Sequence, residues 1–234
     1  MKTAIRSWGK YVPWPVVQLM MRKDAEANIE VSERQVTMFF SDIASFTTIV
    51  ESLPPKSSLL LLSRYFQEMS KIVDAHGGIV VEFIGDAILC IYGAPVVNDS
   101  HPTVAVRAAA HTSVEMLQAM GSINAWLDRR SLPRISIRCG VHTGKVLVGN
   151  MGMQSRIKYG IVGDECSMPG RLEELNKTYG TQLLVSETTH TDMEIEGFVS
   201  RPIDFIRRSA EEGGEQRETE QIFEVWKANR RPSK

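Results

Sequence analysis

The 234-residue sequence predicts an α/β (α+β) sandwich of the ferredoxin-like βαββαβ kind with C-terminal additions, and three observations lead there. Short apolar runs at residues 35–40, 79–84, 87–92 and 135–141 have the length and composition of strands. Two segments with helical spacing, 57–75 and 102–120, fall between them. Gly85-Asp86 separates the middle two runs by two residues, which reads as a tight hairpin. Strand, helix, strand, strand, helix, strand is the order of that sandwich.

Residues 1–32 read as a lead-in and 33–234 as one domain. Tyr11-Val-Pro-Trp-Pro15 cannot continue a helix. Residues 16–27 then have helical character and end in charge. This segment suits either a linker packed on the domain or a transducer entering from a sensor module upstream. The strand at 35–40 ends at Ser41-Asp42, and Pro54-Pro55 stops a short helix after it. The helix at 57–75 sets Leu60, Tyr65, Met69, Ile72 and Val73 on one face and terminates at Gly77-Gly78. After the Ala-rich helix at 102–120, Pro133 precedes the strand at 135–141, and 146–149 reads as a short partner strand. Another short strand ends at Ile161-Val162, a helix is expected at 169–179 and a strand at 182–185. Tail strands are expected near 198–206 and 222–226, with a solvated loop at 211–220 between them.

Bulk composition narrows the functions. Hydrophobic content of 43% and charged content of 24% are those of a soluble globular domain. A net charge of -1 provides no global field favouring nucleic acid or an anionic membrane, and nucleic acid is not expected as a partner. Cys90, Cys139 and Cys166 lack metal-ligand spacing, which points to a reducing, cytoplasmic setting. The longest apolar runs, such as 59–62, are too short to span a bilayer, although the parent protein could itself be membrane-anchored. The five His residues show no ligand spacing and read as structural or exposed. Gly140-Val-His-Thr-Gly-Lys145 is one residue short of a P-loop, and Val146 stands where Ser or Thr is needed.

Asp42 and Asp86 carry the chemistry. Both sit at strand ends beside turns. Mg²⁺ is held by one or two carboxylates plus substrate phosphates, so two strand-end Asp on neighbouring strands could share a pair of metals. The plainer alternative is that each caps a turn.

Four motifs in order weigh against the plainer alternative. Phe39-Phe-Ser-Asp-Ile-Ala-Ser-Phe-Thr47 resembles the first metal motif of class III adenylyl and guanylyl cyclases, and Glu82-Phe-Ile-Gly-Asp-Ala-Ile-Leu89 resembles their second. Cys139-Gly-Val-His-Thr-Gly-Lys-Val-Leu-Val-Gly149 resembles the strand pair that follows. Tyr159-Gly-Ile-Val-Gly-Asp164 and Arg171-Leu-Glu173 resemble the segment completing the site. The resemblance implies the class III cyclase fold and a homodimer. Asp42 and Asp86 would bind two divalent ions, Mg²⁺ or Mn²⁺, with the backbone of Ile43. The turn carrying Phe46 and Thr47 would lie near the nucleoside triphosphate. The other protomer would supply Gly160, Ser167 and Arg171.

By the same resemblance Glu82 reads the purine, and Glu there marks guanylyl cyclases. A carboxylate accepts from guanine N1–H and its 2-amino group, whereas adenine N1 needs a donor. The second reader aligns with Gly160, which has no side chain to contribute. Two positions depart from the family pattern. Ser167 stands where Asn is expected four residues before Arg171. Ser209 stands at the triphosphate Lys, with Arg207 and Arg208 able to serve instead. The expectation is a guanylate cyclase making cyclic GMP and pyrophosphate. The alternatives are an adenylate cyclase, or a degenerate module that dimerises or regulates without turnover.

Overall fold

The computed structural model describes residues 9, 11–23, 28–95, 103–193, 197–207 and 219–228. In chain order the elements are α1 (Trp14–Lys23), β1 (Glu30–Ile43), α2 (Phe46–Glu51), α3 (Pro55–Ala75), β2 (Ile79–Ile84), β3 (Ala87–Tyr92), α4 (Thr103–Asp128), β4 (Ile137–Met153), β5 (Arg156–Val162), a 3₁₀ turn (Asp164–Ser167), α5 (Met168–Tyr179), β6 (Leu183–Ser186), α6 (Glu187–Thr191), β7 (Phe198–Arg207) and β8 (Thr219–Lys227).

One sheet runs β2-β3-β1-β4-β6-β8-β7, with β5 paired to the far end of β4. Its first four strands are antiparallel in the expected ferredoxin-like order, β1 lying between β3 and β4. Strand β6 is parallel to β4, and the β7–β8 pair extends the sheet beyond it. Alternation along β1 sends Phe39 and Ile43 into the core beneath α3 and α4, with Tyr65, Met69, Val106 and Ile123. Val36 and Met38 face the other side, with Ile91, Val146 and Val148. A third cluster seats α5 on the added strands through Leu172, Leu184 and Ile222.

Several boundaries differ from the sequence reading. Residues 135–141 and 146–149 are not two partnered strands but parts of β4, which runs unbroken from Ile137 to Met153. His142 and Thr143 lie between the two expected strands. Both are fully buried and hydrogen-bonded inside the protein, so the strand continues through them. The short helix α2 ends before Pro54-Pro55, as expected, and α3 begins at Pro55 rather than at residue 57, as suits a residue lacking an amide hydrogen in the first turn. Helix α4 passes Met120 to Asp128 because Ile123 and Leu127 continue its buried face. Helix α5 begins at Met168, one residue before the expected start, with Pro169 in its first turn. Among the described residues no helix is long and apolar enough to cross a membrane.

Candidate active site

The site starts where β1 runs out. Ser41 pairs with Ile88 across the β1–β3 ladder. The next positions therefore bring the end of β1 to the Gly85-Asp86 turn. The Ile43 amide donates to Asp86 Oδ2 at 3.3 Å, pinning that carboxylate to the strand that carries Asp42. Burial, followed by the adjoining Asp42 carboxylate, pushes Asp86 up to about 7. Asp42 Oδ1 is buried without a hydrogen-bond partner. A buried polar oxygen left unpaired is costly, and so are two carboxylates held together.

Both costs suit a site made for cations. Asp42 and Asp86 offer hard carboxylate oxygens, the kind Mg²⁺ and Mn²⁺ take. No group of three or more His, Cys, Asp or Glu residues able to hold a metal occurs among the described residues. A metal here would take further ligands from phosphate oxygens or water. Behind the pair, Ser41 Oγ and Tyr65 Oη lie 3.1 Å apart in a hydrogen bond within the core.

The turn after β1 places its candidates differently. Ser45 holds a left-handed conformation (φ 58°), after which α2 begins. The Phe46 side chain packs against the core, so only its backbone is offered to a substrate, while Thr47 is exposed.

Glu82 lies on edge strand β2 and is exposed. Its Oε2 is 2.8 Å from the Nζ of Lys158 on β5. Lys158 and Gly160 are two apart on that strand, hence on one face. The structure thus brings Glu82 to the strand face that Gly160 shares. A Cβ at Gly160 would meet Met151 Sδ at 3.5 Å, an ordinary contact, so packing does not demand glycine there.

The third part is α5 and the turn before it. Ser167 Oγ donates to the Asp164 carbonyl at 2.9 Å. Arg171 donates through Nη1 to the carbonyl of Arg207, the last residue of β7. Arg171 and Arg207, far apart in sequence, are therefore neighbours. Arg208, like Ser209, lies outside the described residues. Several contacts seat α5 on β4, among them an ion pair and a close backbone approach. Arg138 Nε donates to Glu173 Oε1 at 2.6 Å, an ion pair with Glu173 buried. Gly140 lies under the helix, where a Cβ would come 2.1 Å from the Pro169 carbonyl oxygen.

Sequence reading missed Lys158, Arg138 and the pairing of His142 with Glu165. Lys158 was detectable as the same-face neighbour of Gly160. Arg138 and Glu165 carried no local signal, because their partners lie on other elements.

The model for the adenylate and guanylate cyclase catalytic domain matches residues 30–215. Adenylate cyclase 1 of Rhizobium meliloti (strain 1021) is 35% identical over 185 residues, covering 79% of this chain and 27% of that protein. The chain thus spans about a quarter of that relative's length. Among solved structures, the guanylyl cyclase Cya2 superposes with a TM-score of 0.70 at 30% identity, covering 84% of this chain and 94% of the other. The adenylyl cyclase CyaB from P. aeruginosa superposes with a TM-score of 0.74 at 28% identity, covering 86% and 98%.

Proposed function

The chain belongs to the adenylate and guanylate cyclase catalytic-domain family, and we propose that it converts GTP, in preference to ATP, to the cyclic nucleotide and pyrophosphate. The observation that carries cyclisation is the carboxylate pair, with Asp42 Oδ1 buried and unpartnered and Asp86 held by the Ile43 amide. Two divalent ions bound there by Asp42, Asp86 and the Ile43 carbonyl would favour the 3′-alkoxide and offset phosphate charge. The bond from the 3′-oxygen to the α-phosphorus forms as the bond to the bridging oxygen breaks, and pyrophosphate leaves. Arg171 offsets charge developing on the phosphate oxygens. Arg207, its neighbour, holds the triphosphate, and the backbone around Phe46 and Thr47 lines its path. We assign the carboxylate pair and Arg171 to opposite protomers of a homodimer with two composite sites. The lead-in before residue 33 connects this domain to the rest of a longer protein, an upstream sensor module included.

Glu82 supports GTP. Its carboxylate is exposed, and its pairing with Lys158 is a surface ion pair worth roughly 0–1 kcal/mol, so guanine can displace it. Lys158 also favours a second reading. Lys158 shares a strand face with Gly160, and its ammonium could donate to adenine N1, which would make the domain an adenylate cyclase. The test is the ratio of kcat/KM for GTP and ATP, with Mn²⁺ or Mg²⁺, in the wild type and in Glu82→Lys. A wild-type ratio favouring GTP that falls in Glu82→Lys supports the first reading. A wild-type ratio favouring ATP supports the second. Absence of cyclic product from either nucleotide would leave a non-catalytic module.

A further inference from the structure

His142 and Glu165 meet at a place for which cyclisation gives no role. His142 is fully buried on β4, and both its ring nitrogens are engaged. Nδ1 is 2.8 Å from Ser186 Oγ at the end of β6, and Nε2 meets Glu165 Oε2. Ser186 Oγ is itself within hydrogen-bonding distance of the Thr188 and Thr189 hydroxyls, which ties the ring to α6. An ionised carboxylate only accepts, so the proton of the bond to Glu165 is carried by Nε2. The ring therefore cannot turn without breaking a buried bond on one side.

Glu165 belongs to the 3₁₀ turn between β5 and α5, two residues before Ser167 and six before Arg171. The Ser167 hydroxyl is turned back to Asp164, and no side chain caps the start of α5. Gly144 provides independent support. A Cβ there would fall 2.9 Å from His142 Nε2 and 3.0 Å from Glu165 Oε2. A side chain at 144 would thus occupy the gap that the two groups bridge.

We infer that the Glu165–His142 bond is a latch that holds the 3₁₀ turn on the sheet, and that Glu165 is a positioning residue which sets Arg171 for cyclisation. The inference rests on the cyclase reading of Arg171. Glu165 touches no reacting atom in this scheme. It acts through the backbone of the turn, and misplacement of a catalytic group by about 1 Å can cost on the order of 10²-fold in rate.

Glu165→Ala, Glu165→Gln and Gly144→Ala test it. Glu165→Ala should lower kcat about 10- to 100-fold while nucleotide KM stays within about twofold, because the group acts on transition-state geometry. Glu165→Gln keeps an oxygen that accepts from Nε2–H and should recover most of kcat. Gly144→Ala leaves both partners in place but forces them apart. It should reproduce the Glu165→Ala loss, and the two should not add. Amide exchange read over residues 163–170 should quicken in Glu165→Ala and Gly144→Ala, with no nucleotide present. Unchanged exchange there, wild-type kcat in Glu165→Ala, or a loss explained by a smaller folded fraction would each overturn the latch. A wild-type chain that makes no cyclic nucleotide defeats the cyclase reading instead, and the exchange measurement still decides whether the latch exists.

Discussion

The carboxylate pair at the end of β1 and the arginine at the start of α5 differ in how the protein treats their polar atoms. Asp42 leaves a buried oxygen without a partner, and burial with Asp42 alongside holds Asp86 well above the usual carboxylate range. Arg171 and Ser167 each donate a hydrogen bond within the chain, to the carbonyls of Arg207 and Asp164. The first region is built into adjoining strands, and on the proposed reading a bound cation would offset its cost. The second is built on a turn and a helix, and on the proposed reading it would exchange these internal hydrogen bonds for substrate. Preorganisation thus lies with the sheet, and adjustment with the helix.

The largest effect should come from the sheet. Asp42→Ala and Asp86→Ala should each reduce cyclase turnover to background with an unchanged circular dichroism spectrum. Because each substitution removes one of two opposed carboxylates, neither should lower the melting temperature measured without metal. Mn²⁺ should raise the wild-type Tm and leave both variants unmoved. A variant that keeps turnover, or still responds to Mn²⁺, would break the contrast at its first term.

Next comes the helix. Arg171→Ala should cost on the order of 10²–10³ in kcat, the usual range for removing one positioned charge-stabilising donor. Mixing Asp86→Ala chains with Arg171→Ala chains should restore activity, since one composite site in each mixed dimer is intact. No recovery where mixed dimers demonstrably form would place both regions in one protomer's site.

A smaller effect is expected at Ser167. Its hydroxyl is committed to Asp164, so Ser167→Asn should raise kcat by about tenfold, equivalent to roughly 1.4 kcal/mol. A structure of the variant with Asn correctly placed and no gain in rate would show that this position adds nothing. The smallest change should follow Gly140→Ala, read as stability. The added methyl meets the Pro169 carbonyl and should cost about 1–3 kcal/mol in chemical denaturation.

Much of this was legible before folding, for a definite reason. The hairpin at residues 79–92 is local, so apolar runs and a two-residue turn located both strands and Asp86 between them. The βαββαβ order followed from period and punctuation alone. The continuity of β4 did not, because His142 and Thr143 are polar and only their distant partners, Ser186 and Thr37, make them core residues.

By itself, then, the sequence determined the order of elements, the two strand-end carboxylates and the positions that resemble a cyclase site. These depend on spacing along the chain, which is present before any long-range contact forms. The tertiary structure alone decided that Arg171 adjoins Arg207, that Lys158 pairs with Glu82, that Arg138 seats α5 through Glu173 and that Glu165 reaches His142. Each joins residues on different elements, and which side chains meet there is set by sheet register and helix packing, which no local pattern records.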